Sequence, residues 1–375
     1  MSKNTRCVLP WISIDRNTDM SYDTAAPCCL FQPGENIDIK SYWNHHRIKQ
    51  LRSNLQNGIR DEGCTQCWEA EDKGIPSLRQ SVNKDRLHQY KDRIPLVELE
   101  QKPVQIKINT GNSCNFSCRM CLPAYSSRVK KVWDVLGRTG DAPFNFDSYY
   151  QYVEKNHRDL RYIDVLGGEP LFNKKFRDLL TFLIDNKSAE KITLFITTNG
   201  SLLSKNIIAL LKQFENVVLN VSIDAVGDMQ EYIRPGCDWK KLESNLKLLV
   251  EENISFQVAS TISVLNILHL EELENWCLTN NYHFSQPMTV YEPLDLAPHN
   301  LPHQLHEFVP EKYKSFLNQE INDDALNFIK QMDNFWKTDI RTVSPLWNKV
   351  WEDLHWHNVN ELENLKETAL KYVNT

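Results

Sequence analysis

The chain has 375 residues, 41% of them hydrophobic and 25% charged, with a formal net charge of −6. This is the balance of a soluble globular protein, long enough for two or three domains or one large barrel with additions. The acidic excess argues against nucleic-acid binding by bulk electrostatics. The opening residues MSKNTRCVLPWI lack the apolar segment of a secretory signal, and no apolar run approaches a membrane span. A cytoplasmic location is therefore expected, with neither nucleic acid nor membrane as a partner. There, clustered cysteines point to metal ligation or catalysis rather than disulfides.

Residues 1–98 show no regular rhythm. They carry Cys7, the adjacent Cys28 and Cys29, and the pair Cys64 and Cys67, among turn residues and short helical pieces such as NHHRIKQLRSNLQNG. We expect a separate cysteine-rich module, joined to the rest of the chain by the charged stretch KDRLHQYKDR.

From residue 99 to about 300 strands and helices alternate. The strand-like runs are 104–110 (VQIKINT), 162–168 (YIDVLGG), 192–198 (ITLFITT), 217–223 (VVLNVSI), 254–262 (ISFQVASTI) and 283–290 (HFSQPMTV). They are rich in Ile, Val, Thr and Phe, and several are apolar on both faces, as buried parallel strands are. Helical patterns lie between them: KKFRDLLTFLIDN, SKNIIALLKQF and WKKLESNLKLLVEE. Six strand–helix units in order predict an α/β fold with a parallel sheet, a partial (β/α)6 TIM-like barrel.

Residues 301–375 become helical and aromatic, with ALNFIKQMDNFW and LWNKVWEDLHW. Trp336, Trp347, Trp351 and Trp356 are expected to pack, covering the open side of an incomplete barrel. His299, His303 and His306 sit beside prolines and are expected on loops or helix starts rather than on a metal. Cys237 and Cys277 are expected as small buried hydrophobes.

The chemistry concentrates after the first barrel strand. Cys114, Cys118 and Cys121 fall in SCNFSCRMC, a C-x3-C-x2-C spacing. Three thiolates can hold three irons of a [4Fe–4S] cluster and leave the fourth open. A structural zinc site would need a fourth ligand, and this loop offers no further His or Cys. The triplet lies at the carboxyl end of its strand, where barrels of this kind place active sites.

The triplet resembles the signature of the radical S-adenosylmethionine (SAM) superfamily, and the following strand ends extend the resemblance. Gly167-Gly168-Glu169-Pro170 matches the family's GGEP motif, and Thr198-Asn199-Gly200 its TNG turn. Ser222 and Asp224 end the next strand, Arg234 follows in EYIRPG, and Asn266 follows the fifth strand. By resemblance, Gly167, Gly168 and Glu169 hold the amino group of SAM, and Asn199 belongs to the same cofactor-binding rim. Ser222 and Asp224 suit its ribose, Arg234 its carboxylate, and Asn266 occupies a matching asparagine position. Met120 departs from the aromatic residue often found before the third cysteine.

The N-terminal order C-x2-P-W, P-C-C and a late C-x2-C resembles SPASM/twitch auxiliary-cluster modules. Those usually follow the barrel, whereas this one precedes it, and Asp23 stands where a glycine is usual. The resemblance implies a second [4Fe–4S] cluster on Cys7, Cys28, Cys64 and Cys67, with Cys29 left to packing. A four-cysteine zinc site fits the same residues.

The resemblance implies reductive cleavage of SAM to a 5′-deoxyadenosyl radical, which takes hydrogen from a peptide or protein substrate. An electron donor such as flavodoxin or ferredoxin is expected. A small-molecule substrate (a sugar, nucleoside or cofactor precursor) is the alternative, and a zinc-stabilised interaction protein the non-enzymatic one.

Overall fold

The computed structural model describes residues 5–16, 24–90, 102–140, 146–290, 292–317 and 324–353. The N-terminal part holds β1 (Ser13–Arg16), β2 (Ala25–Ala26), α1 (His46–Gln56), α2 (Thr65–Asp72) and α3 (Leu78–Tyr90). The alternating part runs β3 (Gln105–Asn109), α4 (Ser127–Val135), α5 (Asp147–Asn156), β4 (Tyr162–Leu166), α6 (Lys174–Asp185), β5 (Thr193–Thr198) and α7 (Lys205–Leu211). It continues with β6 (Asn216–Ser222), α8 (Asp228–Ile233), α9 (Trp239–Glu251), β7 (Ser255–Ala259), β8 (Thr261–Ile262), α10 (Leu270–Thr279) and β9 (Met288–Thr289). The tail holds α11 (Asp324–Trp336), α12 (Ile340–Val343) and α13 (Asn348–Asp353). None of the described helices is long and apolar enough to cross a membrane.

The main sheet has seven strands in the order β2-β1-β3-β4-β5-β6-β7, parallel except for the β1–β2 pair. This is the partial TIM-like barrel expected. Its crossover helices start where side chains cap them: Ser126, Asn173, Ser204 and Asp238 each accept from a backbone N–H three residues on. Alternate strand residues such as Ile106, Ile163, Leu194 and Leu219 bury against Leu179, Ile208, Leu246 and their neighbours on the helices. The residues between them, including Lys107, Asp164, Phe195 and Asn220, point to the opposite, concave face and stay partly accessible.

Two features differ from expectation. The sixth strand-like run is broken: Phe284 bridges in parallel to Val258 of β7, and the run then contributes β9, which pairs with β8 in a separate two-stranded ribbon. Pro287 lies just before it, without an N–H to extend a ladder. At the other edge, the N-terminal region supplies β1, which runs parallel to β3 through Ser13↔Gln105 and Ile14↔Ile106. The cysteine-rich region is thus built into the sheet.

A second core joins the tail to α8, α10 and the cysteine loop, around the fully buried Trp347 with Met120, Tyr232, Leu270 and Phe328. Trp336 packs edge-on against Phe335 at 5.0 Å. The side chain of Trp351 and all of Trp356 lie outside the described residues.

Candidate functional site

The cysteine loop after β3 is clamped from both sides. On one side, the Gly168 N–H donates to the Gly111 carbonyl at 2.7 Å and the Glu169 N–H to the Ser113 carbonyl at 2.9 Å. A Cβ on Gly168 would meet the Ser113 carbonyl oxygen at 2.3 Å, and Gly167 adopts a φ of +135° against Asn109 and Thr110. The paired glycines are therefore required by the loop itself, before any ligand is considered. On the other side, Ser117 and Arg119 donate backbone N–H bonds to the carbonyls of Pro235 and Ile233, both at 2.9 Å. A third tie runs to the turn after β5, where Asn199 donates to Asn115 at 2.9 Å and Asn115 to Ser201 at 2.9 Å.

This clamping gathers Cys114, Cys118 and Cys121 around a cavity of about 190 Å³ at the carboxyl ends of the strands. Its wall also contains Gly167, Gly168, Asn199, Ser222 and Arg234, together with Met120, Thr197, Thr198 and Thr261. A larger cleft of about 420 Å³ lies at the other end of the sheet, lined by Lys40, Trp43, Lys102 and Tyr152, and contains no cysteine.

Three other expected site residues sit behind the wall. Glu169 is fully buried and accepts from the Thr198 hydroxyl (2.8 Å), the Asn199 N–H (2.7 Å) and the Leu171 N–H (3.0 Å). Burial nonetheless pushes its carboxyl up to about 7. Asp224, also fully buried, accepts from Arg234 Nε at 2.6 Å and the Thr261 N–H at 2.9 Å. Asn266 donates to the Asp224 carbonyl at 3.0 Å and shapes the turn at Ser263. The geometry makes these three supports of the wall: Glu169 sets the Asn199 turn, and Asp224 aims Arg234.

Burial pushes all three loop thiols up, Cys114 to about 12, and the neighbouring sulfurs add to the effect on Cys114 and Cys121. Arg234 opposes this, with Nη1 3.8 Å from Cys118 Sγ. Three close thiols that resist ionisation alone, beside one guanidinium, form a donor set that a cationic iron–sulfur cluster would stabilise.

In the N-terminal region, Cys7 precedes a 3-10 turn at Leu9–Trp11, and Cys64 and Cys67 open α2. Burial pushes Cys7 up to about 12, with Cys67 adding to it; Cys28 and Cys64 are likewise raised by burial and then by Cys7. The four thiols thus lie within electrostatic reach of one another. Cys29 turns elsewhere, toward Asp15, Lys107 and Asp164. Asp61 anchors the Cys64 segment: it pairs with Arg47 at 3.0 and 2.5 Å and accepts from Asn54 and the Gly63 N–H. Burial would raise Asp61, but those bonds outweigh it and hold the carboxyl low.

Around one zinc ion with Zn–S bonds of ~2.3 Å, sulfurs sit about 3.8 Å apart. Among the described residues no three cysteine sulfurs lie within 4.8 Å of one another. Neither cysteine set has the closed arrangement of a single tetrahedral ion. The group that does meet that spacing is Glu35, His45 and His46 at the surface, where His45 Nδ1 also caps α1. His303 and His306 stand in one 3-10 stretch, and His306 bonds to the Leu301 carbonyl at 2.8 Å.

Two residues near the site were not anticipated. Arg119, inside the cysteine loop, is buried over the Tyr232 ring at 3.8 Å and reaches the tail through Asp333 (3.2 Å) and Thr338 (2.6 Å). Cys277 is a core residue, but Cys237 lies within electrostatic reach of both Arg234 and Cys118. Met120 lines the cavity, and Asp23 lies outside the described residues.

Residues 108–277 match the radical SAM superfamily. The chain is 28% identical over 182 residues to the radical SAM cyclopropyl synthase TigE of Paramaledivibacter caminithermalis, covering 46% of this chain and 38% of that one. It is 30% identical over 137 residues to a GTP 3′,8-cyclase of Xanthomonas campestris pv. campestris, covering 35% and 37%. The chain thus spans less than half the length of either relative. Streptococcus suis SuiB bound to precursor peptide SuiA aligns at 13% identity and a TM-score of 0.40, over 82% of this chain and 78% of that one. A likeness that slight carries no argument about function. Glycine clamp, cysteine loop and Arg234 all fall within the matched segment, and the chain carries a radical SAM superfamily domain over residues 108–277.

Proposed function

We propose that this protein is a radical SAM enzyme acting on a peptide or protein, with two [4Fe–4S] clusters. The observation that carries the enzymatic reading is the convergence of Cys114, Cys118, Cys121 and Arg234 on one cavity at the carboxyl ends of parallel strands. The three thiols would hold the first cluster with one iron open. When bound, that cluster and SAM supply a 5′-deoxyadenosyl radical by reductive cleavage of the sulfonium.

The chain's own residues do the positioning. Arg234, held by Asp224, offers charge-assisted pairing to the methionyl carboxylate and favours the Cys118 thiolate. The Gly167-Gly168 backbone forms the wall for the amino group, with Glu169 acting through the Asn199 turn. Ser222 lines the cavity with a hydroxyl suited to a ribose diol, and Asn199 lines it while its amide ties Asn115 and Ser201. Asn266 fixes the turn that presents Thr261.

Cys7, Cys28, Cys64 and Cys67 would hold the second cluster with all four corners filled, which fits it for electron relay or support. The influence of Cys7 on Cys28 and Cys64, and of Cys67 on Cys7, supports one shared group there. An electron donor such as flavodoxin or ferredoxin would reduce the pair, in a cytoplasmic setting. The peptide substrate rests on the resemblance of the cysteine order to SPASM/twitch modules.

The test is anaerobic reconstitution followed by iron, sulfide and zinc analysis, then dithionite reduction with SAM. Formation of methionine and 5′-deoxyadenosine is expected. Reconstituted protein that binds iron but forms neither product would refute the enzymatic reading. Stoichiometric zinc on the four N-terminal cysteines in protein from iron-replete cells would refute the second cluster.

A further inference from the structure

The concave face of the sheet carries charges that the cysteine-lined site leaves unused. The register Ile14↔Ile106 sets Asp15 beside Lys107 at the next position, and Lys107 pairs with Asp164 on β4. Three adjacent parallel strands thus present a row of carboxylate, ammonium and carboxylate. Lys107 Nζ lies 3.6 Å from Asp164 Oδ2, and their side chains remain 28% and 21% accessible. Asp15 is steadied by the Arg16 N–H at 2.7 Å and by the backbone N–H of Cys29. The residue next to Cys28 therefore ties the N-terminal cysteine region to this row.

Barrel interiors are ordinarily filled by layers of Val, Ile and Leu, and buried ion pairs are often no more stabilising than apolar residues of the same volume. Here the charges lie about 7 Å below the strand ends, two residues at ~3.3 Å each. They share the concave face with the hydrogen-bonded trio Thr197, Asn220 and Gln257. Burial would discharge Lys107, but Asp15 and Asp164 outweigh it and keep the ammonium charged. Burial pushes the Asp15 carboxyl up, and Lys107 with the Arg16 and Cys29 N–H groups opposes that shift. With both carboxylates ionised, the row carries one more negative than positive charge, below the cavity that the cysteines line.

We propose that Asp15, Lys107 and Asp164 form the floor of the substrate site and receive a cationic side chain, the amine of lysine or the guanidinium of arginine, from a peptide. This rests on the radical SAM reading and specifies its substrate. Lys107 neutralises one carboxylate, and the surplus charge selects the ligand. The N-terminal strand then has a role beyond carrying cysteines, because it supplies one of the selecting groups.

The test uses fluorescent, N-acetylated nonapeptide pools, random except for a central Lys, Arg, Leu or Glu, titrated by anisotropy into reconstituted full-length protein with SAM. The Lys and Arg pools should bind about tenfold tighter than the Leu pool, and the Glu pool weakest. Asp164→Asn should bring the Lys and Arg pools down to the Leu level, and Asp15→Asn should act in the same direction; unchanged iron content confirms that each variant is folded. Equal binding of all pools, absence of binding by any pool, or a Lys preference that survives Asp164→Asn would overturn the proposal. Deoxyadenosine formation without peptide is measured separately. Protein that selects the Lys pool but forms no deoxyadenosine keeps this inference and refutes the enzymatic reading, and the converse result does the opposite.

Discussion

The two cysteine sites solve opposite problems. The loop triplet sits on a rim, partly exposed beside a cavity, held by backbone clamps from Gly168 and Pro235. The N-terminal set has Cys7 and Cys67 buried and Cys28 and Cys64 partly buried, with the Cys64 segment anchored by the buried Asp61–Arg47 pair. In the proposed reading, one arrangement leaves room for a ligand and the other supplies a fourth sulfur in its place. Ligand number separates the proposed roles before any cofactor chemistry enters.

The largest effect should come from removing sulfurs. Replacing Cys114, Cys118 and Cys121 with Ala should halve the iron from about eight to about four per chain and abolish SAM cleavage. Cys64→Ala should remove the other half while dithionite-driven cleavage persists, because cleavage needs the open iron alone. A folded Cys64→Ala protein that cannot cleave SAM would show that the sites are coupled.

Breaking the anchor comes next. Asp61→Ala leaves Arg47 buried without its carboxylate and should cost about 3–5 kcal/mol, read from the denaturation midpoint. Iron should be lost from the N-terminal site and retained at the loop.

Gly168→Ala tests the clamp. A methyl group directed at the Ser113 carbonyl should displace the loop at a cost of about 1–3 kcal/mol. SAM affinity should fall by at least about tenfold, measured by equilibrium dialysis, with the N-terminal iron intact.

The smallest effect concerns Glu169, whose carboxyl burial raises from 4.5 to about 7. A raised folded-state value means that the protonated form is favoured by folding. That contribution is full below about pH 4.5 and is lost as pH rises through about 7. The stability difference between wild type and Glu169→Gln should narrow or change sign across that window in pH-resolved chemical denaturation. A difference independent of pH would show that the three hydrogen bonds to Glu169 keep it ionised throughout.

What could be read from sequence was local. Cysteine spacing, paired glycines and the Ser222-x-Asp224 pattern are short because each serves one loop or strand end. What could not be read depends on distance along the chain. β1 has four residues and pairs with a strand about ninety positions later, so no apolar run announces it. Arg119 finds its partners at Asp333 and Thr338, more than two hundred residues away. Glu169 and Asp224 were placed at the right rim, but only packing shows that their carboxylates face the wall rather than the cavity. The run 283–290 had strand composition, yet after Pro287 it found only β8 to pair with.

The most direct test of the open and closed pair is electron paramagnetic resonance of the reduced, fully reconstituted protein with and without SAM. Two overlapping cluster signals are expected, and SAM should shift only the one that disappears when Cys114, Cys118 and Cys121 are replaced. A shift of the signal that depends on Cys7, Cys28, Cys64 and Cys67 would contradict the assignment of an open iron to the loop and a closed cluster to the N-terminal region.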